Sequence, residues 1–315
     1  MSLNDSSELI RKLKNRGAKI VALQFPEGLK RKASSITAEL RKAGFDVIVS
    51  GDPCFGACDL ALDTLEYADV LVHFGHAPVD DHPNVICEPY SVDFDPAVLE
   101  SVLPRLTGKT IGLVTTVQHV HMIPAMESYL RSKGIEVRVA DGTKRTPCRG
   151  QVLGCSFESA KATRAEVILF VGTGLFHPIG IALSTGTCVL ALDPLTGIVQ
   201  EADGDALLRR RFAAIEKARG APVIGIIVST KSGQQRMDLA RRLAALAGNT
   251  VIVTMQEVSP DEMLNLGFAA FVNTACPRLA YDDQVRFPVP VLSPAEFEIL
   301  CGVRTWDEYQ IDEIE

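Results

Sequence analysis

No stretch of the chain approaches the roughly 18 uninterrupted apolar residues of a membrane helix, so no helical span is expected. Met1 to Glu8 is polar and carries no apolar core of a signal peptide. Basic charge is also in short supply. The 32 Lys and Arg stand against 39 Asp and Glu, a net charge of −7. A dedicated nucleic-acid binder needs a basic face, so that class is not expected. The longest basic run, Arg209-Arg210-Arg211, lies in a helical pattern and reads as a solvated face. These absences predict a cytoplasmic protein with no membrane and no nucleic acid among its partners. In that reducing compartment the eight cysteines are expected to be free, buried or metal-bound.

What is present is an ordinary globular balance, 47% hydrophobic and 23% charged, in 315 residues. That length accommodates two or three domains. The chain repeats itself three times. Short apolar runs at Lys19 to Phe25, Lys109 to Thr115 and Pro222 to Val228 each precede a helical pattern. Gly44, Gly134 and Gly248 close those helices, and second apolar runs follow. Third runs begin at Ala68, Ala165 and Phe268, and fourth runs at Asn84, Thr187 and Val289. Near-continuous apolar strands alternating with helices mean parallel sheets covered on both faces. The expectation is an α/β chain of three similar domains, 1–107, 108–220 and 221–315. Each is a small parallel sheet flanked by helices, and the three are set with pseudo-threefold symmetry around a central site.

Ligands of open parallel sheets bind beyond the carboxyl ends of the strands. One cysteine per repeat falls there: Cys58 in Gly51-Asp-Pro-Cys-Phe-Gly-Ala-Cys58, Cys155 in Gly150-Gln-Val-Leu-Gly-Cys155, and Cys276 in Asn273-Thr-Ala-Cys276-Pro277. Their small or cyclic neighbours let backbone approach a bulky group closely. Three sulfur ligands without a local fourth suit zinc or an iron–sulfur cluster with one open iron. Cys54 precedes Cys58 by four residues and is an alternative ligand. Cys87, Cys188 and Cys301 lie in apolar patterns and read as core residues. Cys148 sits in a loop rich in Arg, Lys and Gly. The tight cysteine cluster usual in radical enzymes that use S-adenosylmethionine is absent.

The strings Gln24-Phe-Pro-Glu-Gly28, Gly51 to Asp59, His73-Phe-Gly-His-Ala-Pro78, Gly150 to Cys155, Gly172-Thr-Gly-Leu-Phe-His-Pro178 and Asn273 to Pro277 resemble those of the archaeal diphthamide biosynthesis radical enzymes, the 2-(3-amino-3-carboxypropyl)histidine synthases. The resemblance spans nearly the whole chain and all three repeats. It implies a 4Fe–4S cluster held by Cys58, Cys155 and Cys276, with S-adenosylmethionine as cosubstrate at the fourth iron. It implies cleavage between sulfur and the γ carbon, giving methylthioadenosine and a 3-amino-3-carboxypropyl radical. The radical adds to imidazole C2 of one histidine in translation elongation factor 2. An electron donor and a homodimer are implied as well. Two rivals share the three-cysteine pattern: a quinolinate synthase, which also has three α/β repeats, and a non-catalytic iron–sulfur sensor.

The remaining candidates lie in polar loops at strand ends. Gln24, Glu27 and Gly28 leave the first strand, where backbone N–H groups suit a carboxylate and Glu27 an ammonium or ribose hydroxyl. The plainer reading of Glu27 is an acidic residue at a helix start. Ser229, Lys231, Gly233 and Gln234 resemble a phosphate-cradling loop but lack its Gly-Lys-Ser/Thr ending. That loop is a candidate for the methionine carboxylate, or a plain solvated turn. Gly172, Gly174 and His177 open a helix near the expected adenosine or cluster. Arg278 is placed to pair with a substrate carboxylate, with Asp282 or Asp283 as the alternative partner. His73 and His76 are candidate ligands or proton carriers, or simply neutral caps of a strand end.

Overall fold

The uninterrupted apolar runs become the central strands of three sheets. The computed structural model describes residues 6–314. The first sheet holds β1 (Ile20–Gln24), β2 (Asp46–Val49), β3 (Val70–Gly75) and β4 (Val85–Pro89), ordered β2-β1-β3-β4 and parallel throughout. The second holds β5 (Thr110–Thr115), β6 (Glu136–Arg138), β7 (Val167–Val171), β8 (Cys188–Leu192) and β9 (Val199–Glu201), ordered β6-β5-β7-β8-β9. The third holds β10 (Ile224–Ser229), β11 (Thr250–Met255), β12 (Ala270–Asn273) and β13 (Val291–Leu292), ordered β11-β10-β12-β13. All three sheets thus place the first strand between the second and third, as the repeats imply. Every residue of β3, β7, β10 and β12 is buried, because helices cover both faces. The edge strand β2 has no buried residue.

β9 runs antiparallel to β8 and adds a short edge that has no counterpart in the other sheets. Its three residues, Val-Gln-Glu, carry too little periodicity to be read from sequence.

Segments just before the expected domain boundaries pack forward. Leu99, Val102 and Leu106 share a core with Ile111 and Leu113 of β5. Ala214, Ile215 and Ala218 of helix Asp205–Ala218 share a core with Ile224 and Ile226 of β10. We propose that the folding units follow this packing, each beginning with the helix that precedes its first strand.

That forward packing corrects the reading of the arginine run. Arg209 and Arg210 are exposed, but Arg211 is only 1% exposed. It lies on the face of its helix that meets the third sheet, and it pairs there with the equally buried Glu296. Cys188 is corrected too. It is the first residue of β8, exposed, with its thiol beside Glu201. Cys87 and Cys301 are half-buried.

Among the described residues, no helix is long and apolar enough to cross a membrane.

Candidate metal centre

Each of the three thiol loops is tied down by side chains that satisfy its backbone. At the end of β1, the buried Gln24 donates from Nε2 to the carbonyl of Asp59 (2.7 Å) and accepts at Oε1 from the Ala61 N–H (3.1 Å). Those two bonds clamp the turn after Cys58. The Asp59 carboxylate accepts from the Phe55 N–H at 3.1 Å and pairs with Lys231 at 2.9 Å. Lys231 belongs to the loop after β10, so this pair joins the first sheet to the third.

Cys155 sits at the tip of a tight turn in which Leu153 and Ser156 exchange backbone bonds, both 3.1 Å. Gly154 is required there, because a Cβ would stand 2.3 Å from the Phe176 ring. The Cys155 carbonyl accepts from the Ile314 N–H at 2.8 Å, so the C-terminal segment pins this turn.

Cys276 follows β12. The buried Asn273 accepts from the Ala275 N–H (2.9 Å) and donates to the Cys276 carbonyl (2.8 Å). Arg236 donates to the carbonyls of Thr274 and Ala275 (2.7 and 3.0 Å). It also grips Asp312 through two bonds of 2.8 and 2.6 Å. The loop and the C-terminal segment are thereby held together.

These three loops bring the thiols to one place. All three cysteines are half-buried and free. Burial first, then the Cys58 and Cys155 thiols, push the Cys276 thiol up to about 12. Burial also raises Cys58, opposed by a hydrogen bond from Gln234 and by the charge of Arg145, with Cys155 adding to the rise. Thiols that hinder one another's ionisation are close neighbours, and a cation placed among them reverses the sign of that interaction. The set offers three soft donors, one from each sheet, which suits an iron–sulfur cluster.

Several expected residues gather here. Gln234 donates to the Cys58 sulfur at 2.9 Å. Gly233 lies against Cys58, and a Cβ on it would come within 2.7 Å of the Cys58 Cβ. Ser229 accepts from the Lys231 N–H at 3.1 Å and shapes that loop. On the side of Cys155 and Cys276, His177 stacks on Phe170 with centroids 5.8 Å apart, and the Arg278 guanidinium lies 5.6 Å from the Phe176 ring centre. Burial and then the Arg278 charge pull His177 down to about 4. Arg278 itself pairs with Asp282 at 2.8 Å. Gly172 and Gly174 belong to the turn between β7 and helix Phe176–Thr185.

Glu27 and Gly28 are not drawn in by any contact. They open the short 3₁₀ helix Glu27–Lys32, where the exposed Glu27 pairs with Lys30 at 2.7 Å. The buried Cys54 turns toward His73 and His76.

Two residues here carried no sequence signal of their own: Arg145 and Arg236. Arg145 donates to the Gly233 carbonyl at 2.9 Å, while its buried Nε has no partner. Nothing local marks either of them, because each acts on groups supplied by another loop.

Comparison with known proteins follows the same lines. A family model described as putative diphthamide synthesis protein matches residues 25–310. The 2-(3-amino-3-carboxypropyl)histidine synthase of Pyrococcus horikoshii is 38% identical, with 98% of this chain and 92% of that protein covered. The enzyme of the same description from Methanocaldococcus jannaschii is 25% identical over the same shares. A crystal structure of Dph2 from Pyrococcus horikoshii with a 4Fe–4S cluster superimposes with a TM-score of 0.92 at 37% identity, covering 98% of this chain and 93% of that one.

Proposed function

Because the chain belongs to the diphthamide synthesis protein family, we propose that it is a 2-(3-amino-3-carboxypropyl)histidine synthase, a transferase acting in the first step of diphthamide formation. The observation that carries this reading is the meeting of Cys58, Cys155 and Cys276, one from each sheet. The same fold and donor set would also serve quinolinate synthesis; family membership favours the transferase.

The three thiols are the assigned ligands of a 4Fe–4S cluster. When bound, the cluster supplies one electron to the sulfonium of S-adenosylmethionine, whose bond from sulfur to the γ carbon breaks. The chain's own residues hold and orient. Lys231, Arg145 and Arg278 supply the positive charge that a methionine carboxylate needs. Lys231 is already neutralised by Asp59 and Arg278 by Asp282, which leaves the unpartnered Nε of Arg145 as the readiest donor. The Gly172–His177 turn is assigned to adenosine. His177, neutral at pH 7, adds no charge there. Choosing one of three carbon–sulfur bonds is a matter of orientation, sensitive to displacements of about 1 Å. Loops fixed by Gln24, Asn273 and Arg236 meet that demand.

The acceptor is a histidine of translation elongation factor 2, and the electron comes from a separate reductant. We place the protein in the cytoplasm, where eight free cysteines persist, and assign it a homodimer.

Anaerobically reconstituted, reduced protein given S-adenosylmethionine is expected to form methylthioadenosine, identified by mass spectrometry. Deoxyadenosine in its place would overturn the γ-carbon assignment, and no product at all would return weight to quinolinate synthesis or a sensor.

A second expectation concerns the loop that backs Cys58. Gly233→Ala sets a methyl group against the Cys58 backbone and Cβ. Overpacking of this kind costs about 1–3 kcal/mol, and here it is spent on moving a ligand. Iron retained per chain should fall several-fold while the unfolding midpoint moves little. Full iron retention would show that the Cys58 turn adapts freely.

A further inference from the structure

One cluster of ligand-type side chains lies outside the three-thiol centre. Cys54, His73 and His76 place one ligand atom each within 4.8 Å of one another. Cys54 is 2% exposed and His73 fully buried, while His76 reaches solvent. The fold builds this grouping deliberately. His73 is in β3 and its partner follows three residues later, past Gly75 at φ +92°. That left-handed turn brings residue 76 back over residue 73. A side chain at 75 is excluded twice, by φ and by Pro26 at 2.8 Å from a would-be Cβ.

The hydrogen bonds fix the proton positions. Ala61 N–H can only donate, so the Gln24 atom it meets is the oxygen. The Gln24 amide nitrogen accordingly faces the Asp59 carbonyl. His73 Nδ1, 2.8 Å from that same oxygen, must carry a proton and donate it. Nε2 of His73 is left with its lone pair exposed toward His76 Nδ1, 2.9 Å away. An imidazole whose far nitrogen donates to a fixed oxygen is the arrangement that orients metal-binding histidines. In the metal-free chain the lone pair is occupied by the proton on His76 Nδ1. A cation can take that proton's place when the neutral His76 ring shifts its one proton from Nδ1 to Nε2 and turns the Nδ1 lone pair to the metal.

We propose that Cys54, His73 and His76 form a second metal site, separate from the three-thiol centre, that takes zinc or a zinc-like divalent cation. One thiolate and two imidazoles are a zinc donor set, and tetrahedral bond lengths put neighbouring imidazole nitrogens about 3.3 Å apart. The two nitrogens need open by only a few tenths of an ångström. Binding releases one proton, from the Cys54 thiol, and leaves the fourth position to water through the His76 side. With a thiolate bound, the ion carries one net positive charge beside Asp59. The site does not depend on the transferase reading, since its residues are none of the cluster ligands.

The test uses cluster-loaded protein prepared anaerobically, incubated with Zn²⁺, freed of loose metal and assayed for zinc and iron together. Zinc at one ion per chain above the iron is expected. Cys54→Ser and His76→Ala should each weaken zinc binding at least tenfold while iron stays full. Co²⁺ in place of zinc should show a thiolate charge-transfer band that Cys54→Ser removes. Cys58→Ala should lose iron and keep zinc. No zinc on the cluster-loaded protein, zinc undiminished in both variants, or zinc that vanishes with Cys58→Ala would each overturn the proposal. The last outcome would place the ion at the three-thiol centre.

Discussion

Cys276→Ala is expected to leave a folded chain that holds no cluster and forms no methylthioadenosine above the no-enzyme control. Three protein thiols are the assigned donors of the centre, one per sheet, so losing one removes a third of the protein's grip. The neighbouring thiols do not compensate. Cys54 is committed to the side of His73 and His76, and Cys188 and Cys301 belong to other parts of the fold. Stability should change little. The Cys276 side chain lies partly open beside two other thiols, and its own thiol is held protonated by burial and by Cys58 and Cys155. Cys58→Ala and Cys155→Ala should match it, with Cys188→Ala, at an exposed position, as the silent control. Iron and sulfide per chain, read with the nucleoside product, check this directly. Retained iron and turnover in any of the three variants would remove that cysteine from the ligand set.

Glu296→Ala is expected to cost about 3–5 kcal/mol of stability, the loss found when one partner of a buried ion pair is removed. Arg211 and Glu296 are 1% and 0% exposed at their side chains. The guanidinium donates to both carboxylate oxygens, at 2.8 and 2.5 Å, and to the carbonyls of Ala280 and Val291 at 2.5 and 2.6 Å. The carboxylate also accepts from the Ser293 N–H (2.8 Å) and the Tyr309 hydroxyl (3.1 Å). The pair therefore joins helix Asp205–Ala218 to β13, to helix Pro294–Leu300 and to the short helix after Cys276. Alanine at 296 strands a cation that water cannot reach and removes half of a capping box. Urea unfolding should show a lower midpoint. The double change Arg211→Met with Glu296→Leu should recover most of the loss, because the buried charge goes with its partner. A loss under about 1 kcal/mol for Glu296→Ala would mean that water enters and solvates Arg211.

Much of the architecture was legible because it is written in local periodicity. Apolar runs such as Val70 to Phe74 and Val167 to Val171 need no partner to be recognised, and their threefold repetition set three sheets of one core strand order; Gly44 and Gly134 close their helices as expected, whereas the third helix already ends at Ala244, ahead of Gly248. The cysteine loops were legible for the same reason, as each follows a strand end. Arg211 was misread because a run of three arginines looks alike from within. Its partner lies 85 residues away, and only the packing of one helix face onto the third sheet separates Arg211 from Arg209 and Arg210. Arg145 and Arg236 give no local sign for a related reason: their partners, carbonyls of other loops and for Arg236 also Asp312, lie far away in the sequence.

By itself the sequence determined the α/β class, the three repeats and which cysteines stand at strand ends, since these depend on residues within one supersecondary unit. Tertiary structure alone decided that the three thiols meet, that Cys54 faces the histidines instead, and that the C-terminal segment braces Cys155. Those outcomes depend on how segments far apart in the chain are set against one another. Contacts between residues far apart in sequence leave no periodic trace in the chain.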